Sequence, residues 1–312
     1  MKNNALTGRD LLAALGVVFI WGINFVITKL ALQDFTPFQL GAIRFTIAFV
    51  PLAFFFKPPA VPWKWVVMYG LFQGVGQFGL MFLSLKVGMT AALASVLLQT
   101  QVFFTALFGF FLLHERTSKP QQAGMVLAAL GICCFVMNYV NPGASGPGVT
   151  TVLGFVLILG AAAMWAVSNI VAKHVQQGYA GYSPISFVVW SSAVAVLPFV
   201  LLAALLDPAR VSWRWLDAHW ISWVEASYLG LVATLVGYSL WTWLLQRHPA
   251  NRVSPFGLGV PVVGLATGMI VLGEVITPWQ WAGIALTACA LGCVVVGGRV
   301  AERLGSLFRS TP

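Results

Sequence analysis

Residues 11–31 read LLAALGVVFIWGINFVITKLA, an apolar run of 21 residues that contains one charged side chain, Lys29. At a rise of about 1.5 Å per residue, such a helix covers about 30 Å, the thickness of the hydrocarbon core of a bilayer. A short basic start with Lys2 and Arg9 precedes the run, and no convincing cleavage site accompanies it. The stretch therefore predicts a transmembrane helix that is kept as the first span.

Nine further apolar runs of about the same length follow along the chain. Charged residues make up 8% of the 312 positions and apolar residues 59%, whereas a soluble domain carries roughly 25% charged residues. The chain is therefore predicted to be an all-α integral membrane protein with ten transmembrane helices. The ten runs lie near 11–31, 37–56, 65–85, 91–113, 120–139, 153–173, 184–205, 221–245, 252–273 and 278–297.

The basic residues indicate how these spans are oriented. There are 17 Lys and Arg against 8 Asp and Glu, and they stand one or two at a time between the apolar runs, which argues against a nucleic-acid partner. With the N-terminus in the cytoplasm, cytoplasmic segments hold 12 of the 17 and outer loops hold 3, while Lys29 and Arg44 lie within runs. Cytoplasmic loops carry an excess of Lys and Arg, so both termini are predicted to be cytoplasmic.

The two halves of the chain resemble each other. Trp21 and Lys29 have the same separation as Trp165 and Lys173. Several identities recur at one fixed offset of 159 residues, which is hard to attribute to chance. They are Ser95 with Ser254, Glu115 with Glu274, Gln121 with Gln280, Ala123-Gly124 with Ala282-Gly283, and Cys134 with Cys293.

This repeat predicts two five-helix domains. We expect residues 1–141 to hold spans 1–5, and residues 142–312 to hold spans 6–10 with a short cytoplasmic C-terminal tail. Because five is odd, the second half begins on the opposite side of the membrane, so the repeats are inverted. Such repeats are typical of alternating-access transporters that hold substrate near the midplane. A duplication that serves packing alone, as in a scaffold or channel, is the alternative.

Several motifs resemble the EamA family of the drug/metabolite transporter superfamily. They are Trp21-Gly22-Ile23-Asn24-Phe25, Arg44-Phe45, GMTAALASVLLQTQ at 88–101, Glu115-Arg116, and VPVVG at 260–264. The resemblance implies ten helices in a bacterial inner membrane and efflux of amino acids or related metabolites. It is closest to the exporters of O-acetylserine and cysteine, a branch that ATLVGY at 233–238 also fits. Relatives that export aromatic or other amino acids or drugs keep a broader efflux role open.

Polar side chains midway along the runs are candidates for a substrate site, because a polar group in hydrocarbon costs several kcal/mol unless it finds a partner. Neutral amides, hydroxyls and indoles at one depth suit a small zwitterion. The alternative for each residue is hydrogen bonding between helices. The candidates are Trp21, Asn24, Arg44, Gln73, Gln77, Ser95, Gln99, Gln101, Trp165, Asn169, Thr234, Tyr238 and Trp241.

Arg44 and Lys29 are the basic residues that lie well inside runs. A charge at such depth is costly and usually faces a cavity or a partner, so either residue is a candidate ligand for a substrate carboxylate. Snorkelling of the side chain to the membrane surface is the alternative, and it suits Lys29 better than Arg44.

The ninth run carries Gly257, Gly259 and, in mid-run, Pro261. Glycine allows helices to approach closely, and proline frees a backbone carbonyl and kinks a helix. We therefore expect these three residues to act in gating, with tight packing as the alternative.

Several functions lack support in the sequence. No Asp or Glu lies deep in a run, so a coupling proton and facilitated diffusion both stay open. The chain has no phosphate-binding loop of the G-x-x-x-x-G-K-S/T form and no visible catalytic group, so neither an ATPase nor an enzyme is predicted. The four cysteines lie in apolar runs without histidines at ligand spacing, so no metal or other cofactor is expected. The expected partners are a small substrate and lipid, and the protein is a monomer or a homodimer.

Overall fold

The computed structural model describes residues 7–113, 118–140, 150–179, 181, 183–209, 211, 213–248 and 250–308. Within them the regular structure is helical throughout. Nine of these described helices are long and apolar enough to cross a membrane, and another, Pro37–Ala53, is an apolar helix of 17 residues. The predicted ten-helix membrane fold is thereby confirmed.

The helix bounds lie close to the predicted runs, except that the last helix continues well beyond residue 297, to Phe308. We number the spans in chain order, and we call the face where span 1 begins the N-side and the opposite one the far side. The spans are Gly8–Ala31, Pro37–Ala53, Trp63–Lys86, Ala91–Phe111, Lys119–Val140, Val152–Gly178, Pro184–Leu206, Trp220–Arg247, Pro255–Leu272 and Pro278–Val295.

Local chemistry sets where the spans begin. Span 2 starts at Pro37 because the Thr36 side chain accepts the backbone N–H of Gln39, while the Gln39 side chain accepts the N–H of Thr36. Thr7 and Asp10 form the same reciprocal cap at the start of span 1. These caps satisfy backbone donors that the first turn of a helix leaves without partners.

Four spans depart from regular α-helix, three of them near their centres and span 9 at its start. Span 3 is π-helical over Gly70–Phe78, and span 8 is π-helical over Tyr228–Val236. A 3-10 segment, Leu98–Thr100, interrupts span 4, and another, Ser254–Leu258, precedes the α-helical part of span 9. The irregular segments thus occur in matching spans of the two halves, and π-helical turns are frequent at functional sites.

Eight of the spans form a ring. Its most extensive contacts follow the order 1, 9, 4, 6, 3, 7, 2, 8 and return to span 1, while spans 5 and 10 pack on each other beside spans 4 and 9. Every neighbour in the ring comes from the other half of the chain. The ring keeps the same neighbours when each span is exchanged with its counterpart in the other half, span 1 with 6, 2 with 7, 3 with 8 and 4 with 9. A repeat related by a two-fold axis requires this symmetry.

Candidate substrate-binding site

Arg44 lies in the interior of this ring with only 2% of its surface exposed. Its Nη1 donates to Asn24 Oδ1 and its Nη2 to Thr234 Oγ1, each at 3.4 Å, which is long for a hydrogen bond. The guanidinium carbon lies 4.1 Å from the ring centroid of Phe78. Among the described residues no carboxylate pairs with Arg44, and its Nε has no hydrogen-bond partner. A buried guanidinium is therefore left with neutral partners only.

Three aromatic side chains form a cluster between spans 1 and 8, the spans that carry Asn24 and Thr234. The ring centroid of Trp21 is 5.3 Å from that of Tyr238 and 5.6 Å from that of Trp241. Trp21 Nε1 donates to the carbonyl of Ala233 at 3.0 Å, so the indole is fixed against the π-helical segment of span 8. Spans 1 and 8 are thus joined at the depth of the candidate site.

The amides of span 3 bond to each other and to span 6. Gln73 Nε2 donates to Gln77 Oε1 at 2.9 Å, and the hydroxyl of Ser168 donates to Gln73 Oε1. The same hydroxyl lies 2.8 Å from the carbonyl of Trp165. Interhelical bonding therefore occupies Gln73, and Gln77 is buried behind it.

A second amide pair joins spans 4 and 6. Asn169 Nδ2 donates to Gln101 Oε1 at 2.7 Å, and Thr105 Oγ1 donates to the Gln101 carbonyl at 2.7 Å. Asn169 thus bonds to an amide, whereas Asn24, at the matching place in the first half, accepts from Arg44. The predicted polar set divides into one group around Arg44 and others that join helices.

Spans 4 and 9 meet at the predicted gating residues. Ser95 Oγ donates to the Ala92 carbonyl at 2.6 Å and lies 3.4 Å from the carbonyl of Pro261. Pro261 lies in the first turn of the α-helix Gly259–Leu272, so the irregular segment precedes it and it does not kink a helix in mid-course. Its missing N–H leaves the Gly257 carbonyl free of the usual α-helical donor, and Gln99 Nε2 lies 3.5 Å from that oxygen.

Close packing accounts for one of the two gating glycines. A Cβ on Gly259 would lie 2.8 Å from a methyl carbon of Val18, so span 1 requires the glycine there. A Cβ on Gly257 would meet only Trp241, at 4.0 Å. Gating by Gly257, Gly259 and Pro261 stays a prediction.

Two adjoining cavities lie between spans 2, 3, 7 and 8. They have empty volumes of about 320 and 330 Å³, counting the space open to the surroundings, and both are lined by Val188, Ser192, Thr234 and Tyr238. One reaches Leu52 near the N-side end of span 2. The other reaches Gln73, Phe78 and Ser191, so Gln73, Thr234 and Tyr238 of the predicted set line cavity walls.

The far-side ends of the spans are closely bonded. Glu274, just after span 9, accepts the backbone N–H groups of Ala91 and Ala92 at the start of span 4, each at 2.7 Å. Lys29 donates to the Met89 carbonyl, so it is engaged at the far-side end of its span. Thr36 donates to Asp207 Oδ2 at 2.6 Å, a bond that opposes the rise in the pKa of Asp207 caused by burial. One cavity therefore approaches the N-side, while the Glu274 and Thr36 bonds join the two halves at the far side.

At the N-side ends, spans 1 and 8 are tied by charge. Asp10 is fully buried, with its Oδ2 3.0 Å from His248 Nε2 and its Oδ1 3.4 Å from Arg247 Nε. Sequence reasoning did not single out Asp10 or His248, nor Phe78 and Ser191 at the cavity. The signal that could have found Asp10 is a carboxylate three residues after Thr7, the spacing of a helix cap.

Ten apolar spans in two inverted halves, with a buried cation and amides between them, define a membrane protein built as alternating-access transporters are. The family described as "EamA-like transporter family" matches the sequence twice, over residues 9–137 and 152–296. The protein therefore belongs to the EamA-like transporter family, and the family resemblance is confirmed. The predicted boundary at residues 141 and 142 lies outside the described residues.

Curated relatives cover nearly the whole chain. A "Probable amino-acid metabolite efflux pump" of Salmonella typhimurium is 38% identical over 95% of this chain and 97% of the relative. A protein of the same name from Escherichia coli is 36% identical over 96% of this chain and 100% of the relative. A crystal structure of another protein, 19% identical, has a TM-score of 0.59 over 95% of this chain and 98% of that one, and supports the fold alone.

Proposed function

We propose that this protein exports small amino acids or related metabolites, of the O-acetylserine and cysteine type, by alternating access. The observation that carries the proposal is Arg44, a cation that is 2% exposed and has no carboxylate partner among the described residues. An uncompensated buried charge is costly, so its retention in a membrane helix points to a functional anion. A substrate carboxylate is that anion, because guanidinium binds carboxylate through two parallel charge-assisted hydrogen bonds.

The surroundings of Arg44 suit the remainder of a zwitterion. Trp21 and Tyr238 lie one helical turn from Asn24 and Thr234, the two residues that Arg44 bonds, and Trp241 packs on Trp21. Aromatic faces attract ammonium groups. Probable efflux pumps for amino-acid metabolites are similar to the chain over nearly its whole length, which supports the same substrate class. Broader efflux of aromatic or other amino acids or drugs is the alternative.

The bonds on the far side favour a carrier over a channel-like facilitator. A channel needs a continuous path, whereas Glu274 holds span 4 against the end of span 9 on the far side while one cavity reaches toward the N-side. In alternating access these two sides open in turn around a fixed site.

Transport by the purified protein in proteoliposomes tests the proposal. Labelled cysteine and O-acetylserine are expected to exchange with saturable kinetics, and their decarboxylated amines are expected to compete poorly, because the amines cannot pair with Arg44. The same assay with and without an imposed pH gradient separates proton coupling from facilitated diffusion. Equal transport of acids and amines would remove the carboxylate from the proposal, and flux that never saturates would indicate a channel.

We also propose that the protein lies in the bacterial inner membrane with both termini in the cytoplasm. The charge distribution supports this orientation, since 12 of 17 basic residues then lie in cytoplasmic segments. A reporter fused after residue 145 is expected to read outside, and one fused after residue 310 inside. Two cytoplasmic signals would contradict the orientation of the second half.

A further inference from the structure

The Ser191 hydroxyl is a buried group that has no part in the proposed binding of a carboxylate by Arg44. Ser191 is 2% exposed, and its Oγ is, among the described residues, the only fully buried hydroxyl oxygen that has no hydrogen-bond partner. In membrane helices a serine hydroxyl ordinarily finds a carbonyl or another polar group, because an unpaired one is costly in hydrocarbon.

The neighbouring serine has such a partner. Ser192 Oγ donates to the Val188 carbonyl one turn earlier in the same helix, at 2.8 Å. Both serines line the cavity between spans 3, 7 and 8. Two adjacent hydroxyls in one cavity wall therefore differ in their bonding, because Ser192 has a partner and the oxygen of Ser191 has none.

The cavity brings Ser191 close to the Arg44 site. Phe78 and Thr234 line it together with Ser191, and both contact the Arg44 guanidinium. Ser191 is the eighth residue counted from the N-side end of span 7, and Arg44 is the tenth residue counted from the N-side end of span 2. At about 1.5 Å per residue the two lie about 10–14 Å below the N-side ends of their helices, at nearly the same depth.

Glycines of span 3 allow it to pack closely against span 7 beside Ser191. A Cβ on Gly70 would lie 2.5 Å from the Ser191 carbonyl oxygen, and one on Gly74 would lie 2.6 Å from Ala195 Cβ, so spans 3 and 7 touch through their backbones. Phe45 and Phe78 also line this cavity. The space next to Ser191 therefore suits a short side chain better than an aromatic one.

We propose that Ser191 is the residue that recognises the side chain of the substrate. The selected class is amino acids whose short side chain carries an oxygen or sulfur atom able to hydrogen-bond the Ser191 hydroxyl. This inference rests on the proposed function, since the substrate is oriented by its carboxylate on Arg44. A site built to bond a polar atom discriminates against an analogue that lacks it, because the protein's own group is then left unpaired.

The test compares Ser191→Ala with Ser192→Ala in proteoliposomes, with serine and alanine as competitors of labelled cysteine. In the wild type, serine is expected to compete better than alanine. Ser191→Ala is expected to lose that preference, with the inhibition constant for serine rising about tenfold and that for alanine unchanged, as expected for one hydrogen bond. Ser192→Ala is expected to keep the preference, because the Ser192 hydroxyl already has a partner.

Ser191→Thr keeps the hydroxyl and is therefore expected to keep the preference for serine that Ser191→Ala loses. A purely structural role of Ser191 in packing would not produce this difference between the two variants. An unchanged ratio of serine to alanine inhibition constants in Ser191→Ala overturns the inference, as does an equal loss of both competitors. These outcomes leave amino-acid transport by the wild type intact. A wild type that transports no amino acid would instead refute the proposed function itself, so the two failures are distinguishable.

Discussion

Arg44→Gln is expected to weaken transport of amino acids strongly while leaving transport of any substrate that lacks a carboxylate at the wild-type level. Glutamine cannot copy the two parallel bonds that guanidinium makes to a carboxylate, and it carries no charge. In a buried site the loss should cost about 1.5–3 kcal/mol, which is roughly a ten- to hundredfold loss of affinity. Counterflow of an amino acid and its decarboxylated amine, with equal amounts of folded protein in the vesicles, measures the effect.

Lys29→Gln is the matched control for this experiment. Lys29 is the other basic residue inside a predicted run, but its ammonium group bonds the Met89 carbonyl near the far-side end of span 1. Its loss should therefore not separate acids from amines. Because Arg44 also bonds Asn24 and Thr234, thermal stability is measured in parallel. Parallel loss of acid and amine transport with reduced stability would assign Arg44 a structural role and remove it from the site.

The spans could be predicted because a bilayer imposes one length and one composition on every helix that crosses it. The run 184–205, for example, differs by one residue from the helix Pro184–Leu206, since Ser183 and Pro184 mark its start. Arg44 could be found for the same reason, because a charge inside an apolar run is conspicuous. These signals are local in the chain and need no knowledge of how the helices pack.

The partners of the site residues could not be predicted, because they depend on which spans meet. Asn24 and Asn169 occupy similar places in the two halves, yet one accepts from Arg44 and the other donates to Gln101. Ser191 and Ser192 are equivalent in the sequence, and only the fold distinguishes the hydroxyl with a carbonyl partner from the one without. The π-helical segment Gly70–Phe78 likewise carries no periodic signal that separates it from an ordinary apolar helix.

Glu274→Gln is expected to weaken the closed arrangement of the far side. Gly273 ends span 9 in a left-handed conformation, and the N–H of Glu274 then bonds the Gly268 carbonyl, which places the carboxylate at the start of span 4. Each carboxylate oxygen accepts one N–H, from Ala91 and from Ala92. The amide of glutamine offers one acceptor and turns a donor toward the other N–H, so one bond and the charge are lost.

Loss of the charge-assisted contacts should cost about 1.5–3 kcal/mol, which shifts a two-state equilibrium toward the open far side by roughly ten- to hundredfold. Hydrogen exchange measured by mass spectrometry on peptides that contain Ala91 and Ala92 reports this directly, and their amides are expected to exchange faster by that factor. Glu225→Gln is the control, because it removes a carboxylate from span 8 and leaves the bonds between Glu274 and the start of span 4 unchanged. Unchanged exchange in Glu274→Gln, or equal acceleration in both variants, would show that Glu274 does not hold the far side closed. In the expected case, spans 4 and 9 must part at Glu274 before a substrate bound at Arg44 can leave on the far side, so the same variant should also change the rate of export.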